Sequence, residues 1–294
     1  MNLLQNLQNL SLEEKINLTQ EKIKEWYDYW NGDVYISFSG GKDSTVLLLL
    51  AREIYPEIKA VFINTGLEWP EIKKWVKIQK NIEWIHPKIK FPIIIEKYGY
   101  PVISKVISQQ ISEIRTTKSK KLLTKRLHGI DNKKVGKLSE KWKYLINAPF
   151  KISHRCCYYL KKQPVIDWEK ENKCHPILGV RASESNLRQN MFNKNGGCNT
   201  FKTKRPISMP LSFWKNEDID NFLNQIDYTP KSIYKKGMSS TGCMFCLFGI
   251  HTEKSGIFYK NRFQIMKELH IDKYNYCMEN LKIKEVLQFL KISY

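Results

Sequence analysis

The sequence predicts an α/β fold: a doubly wound, mostly parallel sheet with a helix-rich C-terminal part. Three observations predict it. Short β-branched and aromatic runs alternate with helix-length amphipathic segments over the first half of the chain, the pattern of repeated β–α–β units. The first run, Val34 to Phe38, breaks at Ser39-Gly40-Gly41 and continues into an apolar helical stretch from Val46 to Ala51. The second, Ala60 to Ile63, ends in Asn64-Thr65-Gly66-Leu67-Glu68-Trp69-Pro70-Glu71. Two strands thus end in glycine turns, at the carboxyl edge where such sheets bind ligands.

The elements follow in order. Residues 11–30 form an amphipathic helix, with Ser11 as cap before Leu12-Glu13-Glu14 and apolar side chains at Ile16, Leu18, Ile23 and Trp26. Strand 34–38 precedes a helix over 44–54, and strand 60–63 precedes a helix from Trp75 to Ile82. The run Pro92 to Glu96 reads as a further strand, and Pro176 to Val180 as the last central one. Between them, residues 115–143 carry Lys118, Lys120, Lys121, Lys125, Arg126, Lys133, Lys134 and Lys137, a basic helix-and-loop insertion. A helix-rich part begins at Asn216. No internal repeat or low-complexity linker interrupts this order.

Composition narrows the class. The 294 residues are 42% hydrophobic and 12% aromatic, enough for a substantial core. No apolar run approaches the roughly eighteen residues of a membrane span. The N-terminus, Met1-Asn2-Leu3-Leu4, lacks a basic region followed by an apolar stretch, so no signal peptide is read and a cytoplasmic protein is expected. Seven cysteines in such a chain point to metal ligands or reactive thiols rather than disulfides. A formal charge of +20 attracts phosphate backbones, so tRNA or DNA is a candidate partner, with the 115–143 segment as its contact. A lysine-rich, solvated surface would carry the same charge.

The turn after the first strand has anion chemistry. Gly40 and Gly41 permit close backbone approach, and the N–H groups at the helix start point at a ligand. Lys42 adds charge, while Ser39, Ser44 and Thr45 add hydroxyls; phosphate or sulfate is the expected guest. Later, Arg181 and Arg188 follow a strand end, as forks suited to bidentate phosphate or sulfate contacts. Two separated cysteine pairs, Cys156-Cys157 and Cys243-Met244-Phe245-Cys246, can converge on one tetrahedral thiolate site that suits zinc or an iron–sulfur cluster.

Ser39-Gly40-Gly41-Lys42-Asp43-Ser44-Thr45 resembles the PP-loop of the adenine nucleotide α-hydrolase superfamily. Together with Gly179-Val180-Arg181-Ala182-Ser183-Glu184-Ser185-Asn186-Leu187-Arg188 and the two cysteine pairs, it resembles the phosphoadenylyl-sulfate (PAPS) reductase family, over residues 30 to 250. Thr241 to His251 looks most like uncharacterised Firmicutes and phage members of that family. The resemblance implies a nucleotide-binding domain over 31–215; ahead of it the residue pattern gives an N-terminal helix over 1–30. A C-terminal region over 216–294 would complete the cysteine site. It implies ATP, PAPS or APS bound by Ser39, Gly40, Gly41, Lys42, Asp43, Ser44, Thr45, Asn64, Thr65, Gly66, Arg181, Ser185 and Arg188. Lys42, Asp43, Arg181 and Arg188 would act in catalysis, Asp43 by placing Mg²⁺. A 4Fe–4S cluster, with zinc as the alternative, would sit on Cys156, Cys157, Cys243 and Cys246.

One departure redirects the chemistry. Assimilatory members attack the sulfonucleotide with a cysteine in a C-terminal Glu-Cys-Gly-Leu-His segment, which this sequence lacks; Cys277 follows Cys246 in unlike surroundings. The leading expectation is therefore an ATP pyrophosphatase that adenylates a substrate for sulfur transfer to nucleic acid. Sulfonucleotide reduction and a non-catalytic nucleotide-binding regulator are the alternatives. A sulfur- or electron-donor protein is the implied partner, and self-association stays open.

Overall fold

Two helices lead into the sheet. The computed structural model describes residues 3–130, 135–238, 241–253 and 260–294. In it α1 (Leu3–Gln8) is followed by α2 (Leu12–Tyr29), so the helix expected over 11–30 is present and the 1–30 segment holds a second, shorter one before it. The break falls at Ser11, whose hydroxyl accepts the Glu14 N–H while the Glu14 carboxylate accepts the Ser11 N–H, a reciprocal cap that starts a new helix. Lys15, Thr19, Ile23 and Trp26 are its buried residues, spaced three or four apart on one face.

Next come β1 (Val34–Ser37), α3 (Lys42–Ile54), β2 (Ala60–Ile63), α4 (Pro70–Ile78) and β3 (Ile82–Ile85). The helix expected over 75–82 thus lies earlier, with Ile72, Trp75 and Val76 buried, and its expected end belongs to β3. The strand expected at 92–96 is instead part of a helix, α5 (Phe91–Tyr98). Pro92 sits in its first turn, where a missing N–H costs nothing. Phe91, Ile94 and Ile95 are buried while Ile93 is exposed, a helical face rather than a two-residue alternation.

The chain continues through β4 (Val102–Ile103), α6 (Lys105–Thr116) and α7 (Lys120–His128). It then enters α8 (Gln163–Asn172), β5 (His175–Leu178), α9 (Asn186–Asn195), β6 (Asn199–Thr200), β7 (Ile207–Ser208) and α10 (Asn216–Leu223). The last elements are α11 (Lys231–Lys235), β8 (Leu247–Phe248), α12 (Arg262–Leu269), α13 (Ile271–Asn275) and α14 (Ile283–Phe289). No helix among the described residues is long and apolar enough to cross a membrane.

These elements form two compact units that interleave along the sequence. The first comprises Met1–Asn64, Pro70–His86 and Pro164–Ser232; the second comprises Thr65–Trp69, Pro87–Gln163 and Ile233–Tyr294. The sequence reading had consecutive blocks over 1–30, 31–215 and 216–294, because local composition carries no record of which distant segments pack together.

The first unit holds a six-stranded sheet in the order β3-β2-β1-β5-β7-β6. All neighbours are parallel except β6 and β7, which confirms a mostly parallel α/β fold. The strand order reverses at β1, flanked by β2 on one side and β5 on the other. A crevice at the carboxyl ends of strands beside such a reversal is where ligands of these sheets bind. Val34, Tyr35, Ile36, Ala60, Val61 and Ile177 are buried in the strands, and Leu47, Leu50 and Ala51 are buried in α3.

In the second unit β4 pairs in parallel with β8, and Ile111, Leu145, Leu247, Phe263, Met266 and Leu287 are among its core residues. The basic segment lies here. α7 buries no side chain, and Lys118, Lys120 and Lys121 are exposed. Other members of the stretch are structural. Arg115 donates to the carbonyls of Leu145, Ile146, Ala148 and Phe150. Arg126 pairs with Glu113, and Lys137 with Glu140. Lys133 and Lys134 lie outside the described residues.

Candidate functional site

The turn after β1 is held by its own hydroxyls. The Ser44 hydroxyl accepts the Ser39 N–H at 3.1 Å, lies 2.9 Å from the Ser39 hydroxyl and donates to the Gly41 carbonyl at 3.1 Å. Ser39 Oγ accepts the Gly41 N–H at 3.3 Å, and the Thr45 hydroxyl accepts the Trp75 indole N–H at 3.1 Å. The Tyr228 hydroxyl donates to the Gly40 carbonyl at 2.9 Å. Three of the hydroxyls expected to face a ligand therefore help fix the loop.

Gly40 has φ +70°, and a Cβ there would lie 2.8 Å from the Cγ2 atoms of both Ile72 and Val76. Its missing side chain makes room for α4. The turn leads straight into α3, whose first turn begins at Lys42 and includes Asp43, so the positive end of the helix dipole opens at the loop.

The charged residues come from three directions. Lys42 Nζ lies 2.6 Å from Asp220 on α10. Arg181, just beyond β5 and 8% exposed, places Nε 2.5 Å from Asp43 Oδ1 and Nη1 2.7 Å from Asn216 Oδ1. Asp43 thus bonds Arg181. Gly179 permits this approach, since a Cβ would sit 3.0 Å from the Asp43 carbonyl carbon and the Ser44 nitrogen.

Ser185 caps α9 by accepting the Arg188 N–H. Arg188 pairs with Glu184 at 2.6 Å, its side chain 41% exposed. Burial pushes the Glu184 carboxyl above its ordinary range, against the pull of Arg188, and the Asp43 charge adds to the rise. Asp220, Asn216 and Tyr228 gave no sequence signal: each lies on a segment with no motif, far along the chain from the loop.

The second strand end divides between the units. Asn64 belongs to the first, where its side-chain amide lies 3.1 Å from His86 Nε2. Thr65 and Gly66 belong to the second. There the Glu68 carboxylate accepts the backbone N–H groups of Thr65 and Gly66 and the Thr65 hydroxyl, so Glu68 shapes its own loop.

All four expected cysteine ligands lie in the second unit. Cys156 and Cys157 precede a π-helical turn, Tyr158–Lys162, with their sulfurs 4.0 Å apart. Cys243 and Cys246 close a tight turn in which the Cys246 N–H bonds the Cys243 carbonyl, and Arg262 Nη1 donates to the Cys246 carbonyl. The thiols act on one another electrically: Cys156 feels Cys157, Cys246 and Cys243.

A hydrogen bond from Cys156 lowers Cys157 to about 6 against the effect of burial, with Lys105, Lys161 and Lys162 adding to the fall. Cys156 moves up in turn. Burial raises Cys243, and it pushes Cys246 to about 11. Lys161 is held above its ordinary value by Cys243 first, then by Cys157, Glu68 and Cys246. The donor set is all thiol, fitting soft-metal chemistry. Among the described residues, no three His, Cys, Asp or Glu side chains are grouped so as to hold a metal ion.

The loop between β1 and α3, with Arg181 beyond the neighbouring β5, lies at the carboxyl edge of a mostly parallel α/β sheet. The family model of the phosphoadenosine phosphosulfate reductase domain matches residues 33–92 and 105–247, and the chain belongs to that family of enzymes. Similar proteins include two uncharacterised proteins of Methanocaldococcus jannaschii. One is 25% identical over 88% of this chain and 51% of its own length; the other is 26% identical over 76% and 38%. This chain therefore spans about half of one of those relatives and under two fifths of the other. An adenosine 5′-phosphosulfate reductase of Staphylococcus epidermidis is 23% identical over 82% of this chain and 81% of its own length. A solved phosphoadenylyl-sulfate reductase of Candida auris, in a phosphate complex, aligns with 80% of this chain and 96% of its own at 15% identity and a TM-score of 0.43.

Proposed function

We propose that the turn after β1 binds the phosphates of an adenine nucleotide and that the chain adenylates an acceptor as a step in sulfur transfer to nucleic acid. An acceptor oxygen attacks the α-phosphorus of ATP, the bond to the pyrophosphate oxygen breaks, pyrophosphate leaves and the acceptor proton passes to solvent. The N–H groups at the start of α3, with Lys42 and Arg181, stabilise the charge that builds on the leaving group. Mg²⁺ travels with the phosphates, and Arg188 adds a second guanidinium.

The observation that carries adenylation over sulfonucleotide reduction is Cys277. Its side chain is fully buried, and burial raises its thiol well above the ordinary range, the reverse of what a thiolate nucleophile needs. Cys156, Cys157, Cys243 and Cys246 are the ligands of an iron–sulfur cluster in this reading, with zinc as the alternative on the same sulfurs. Such a group supplies a rigid clasp on the fold and a place to hold sulfur. Lys105, Lys161 and Lys162 balance the thiolate charge.

Sulfonucleotide reduction is the second reading, favoured by the alignment with the staphylococcal reductase over most of both chains. One assay separates the two. Anaerobically purified protein is offered ATP with Mg²⁺, APS and PAPS in parallel, with and without tRNA or DNA. AMP and pyrophosphate from ATP, accelerated by nucleic acid, are expected. Sulfite from APS or PAPS with a thiol donor overturns adenylation in favour of reduction.

A further inference from the structure

The second unit contains a cavity of about 430 Å³ that neither the phosphate loop nor the cysteines form. That volume lies in the range of about 300–1,000 Å³ usual for small-ligand sites. Its lining combines three aromatic rings with cations. Trp142 meets His251 edge-on at 5.1 Å, Tyr144 lies 5.8 Å from Phe289, and Lys141 Nζ stands 4.8 Å from the Trp142 ring centre. Lys291 adds a second ammonium.

Among the described lining residues the one carboxylate is Glu253, and it is already committed. It accepts the backbone N–H of Arg262 and pairs with the Arg262 guanidinium. The side chain of Asn261 is committed too: its oxygen accepts the N–H groups of Phe263 and Gln264, and its amide donates to the Ser293 carbonyl. Beside these the lining offers aromatic rings, two ammoniums, an imidazole, the Ser293 hydroxyl and aliphatic side chains.

That combination selects a flat anion. A purely apolar guest would leave two ammoniums facing it, and a simple anion would leave the rings unused. Aromatic faces beside cations are how proteins hold a base and its phosphate with little sequence preference. We propose that this cavity is a nucleobase pocket, taking a base stacked against Trp142 or Tyr144 with its phosphate on Lys141 and Lys291. The base comes either from a free nucleotide or from a single strand of nucleic acid. The pocket is read by binding, so it stands or falls separately from ATP turnover at the loop.

The test is photo-cross-linking of the full chain to a single-stranded RNA of about 12 nucleotides, within the span of known stacking platforms. The strand carries one 4-thiouridine, inorganic pyrophosphate is held in excess to occupy the loop without offering a base, and the cross-linked peptide is mapped. Cross-links at residues 140–144 or 289–293 are expected. Trp142→Ala and Lys141→Glu should each weaken the strand's affinity about tenfold, with circular dichroism confirming that both variants fold. Loss of the cross-link on adding excess AMP assigns the pocket to free nucleotides, and its persistence assigns it to the strand. Cross-links confined to other peptides, or unchanged affinity in both variants, overturn the proposal.

Discussion

Replacing Gly40 by alanine tests why the turn after β1 is built as it is. The residue has φ +70°, and the added methyl would fall 2.8 Å from two methyl carbons of α4, on Ile72 and Val76. The left-handed conformation costs a non-glycine residue about 1–2 kcal/mol. Overpacking against a fixed neighbour costs about 1–3 kcal/mol more, so Gly40→Ala should destabilise by about 2–5 kcal/mol. Gly66 supplies the control: its φ is +80° with nothing within 4 Å of a Cβ, so Gly66→Ala should cost only the conformational share. Urea unfolding of both variants, followed by circular dichroism, gives the comparison. Equal losses in the two variants would refute the packing argument and leave ligand approach as the reason for glycine at position 40.

Three further outcomes follow from the geometry. Lys15 is 2% exposed and pairs at 2.7 Å with Asp218, itself 13% exposed; Lys15→Ala removes the ammonium partner of a half-buried carboxylate that keeps the Lys215 N–H and should cost about 1–3 kcal/mol, read as a lower urea midpoint. Glu113 titrates below the ordinary carboxylate value because hydrogen bonds from Arg126 and Gln109 outweigh its burial. Its contribution is therefore complete above the ordinary value and is lost as pH falls through the lowered one, so the stability gap between the protein and Glu113→Gln should close on acidification. A gap that stays constant from neutral pH to pH 3 would contradict this. Cys243→Ser should cut the iron and acid-labile sulfide of anaerobically purified protein, measured chemically; full retention of both removes Cys243 from the ligand set.

The strand, turn and helix around Gly40 were legible because their signal is local. A buried strand, two glycines and a helix start lie within a dozen residues. Ser11 was legible for the same reason, since its reciprocal cap spans only three residues. The helix Phe91–Tyr98 was not, because Pro-Ile-Ile-Ile favours a strand by side-chain type. Its helical form rests on the burial of Phe91, Ile94 and Ile95 on one side. Arg115 opens the basic segment 115–143, yet four backbone carbonyls from 145 to 150 accept its hydrogen bonds. That role depends on a chain path that composition does not encode.

Sequence by itself determined the fold class, the family and the residue types at the loop and the cysteine pairs, because each is written in short contiguous runs. Tertiary structure alone decided what those residues do to one another. It set Asp43 against Arg181, Asp220 against Lys42, and Tyr228 on the Gly40 carbonyl, across separations of 138, 178 and 188 positions. It also put Cys243 and Cys246 in the same unit as Cys156 and Cys157, close enough for the four thiols to shift one another's protons. Local propensity fixes an element over a few residues; charge pairing and thiol coupling fall off over a few ångströms of space, and that distance exists only once the chain has folded.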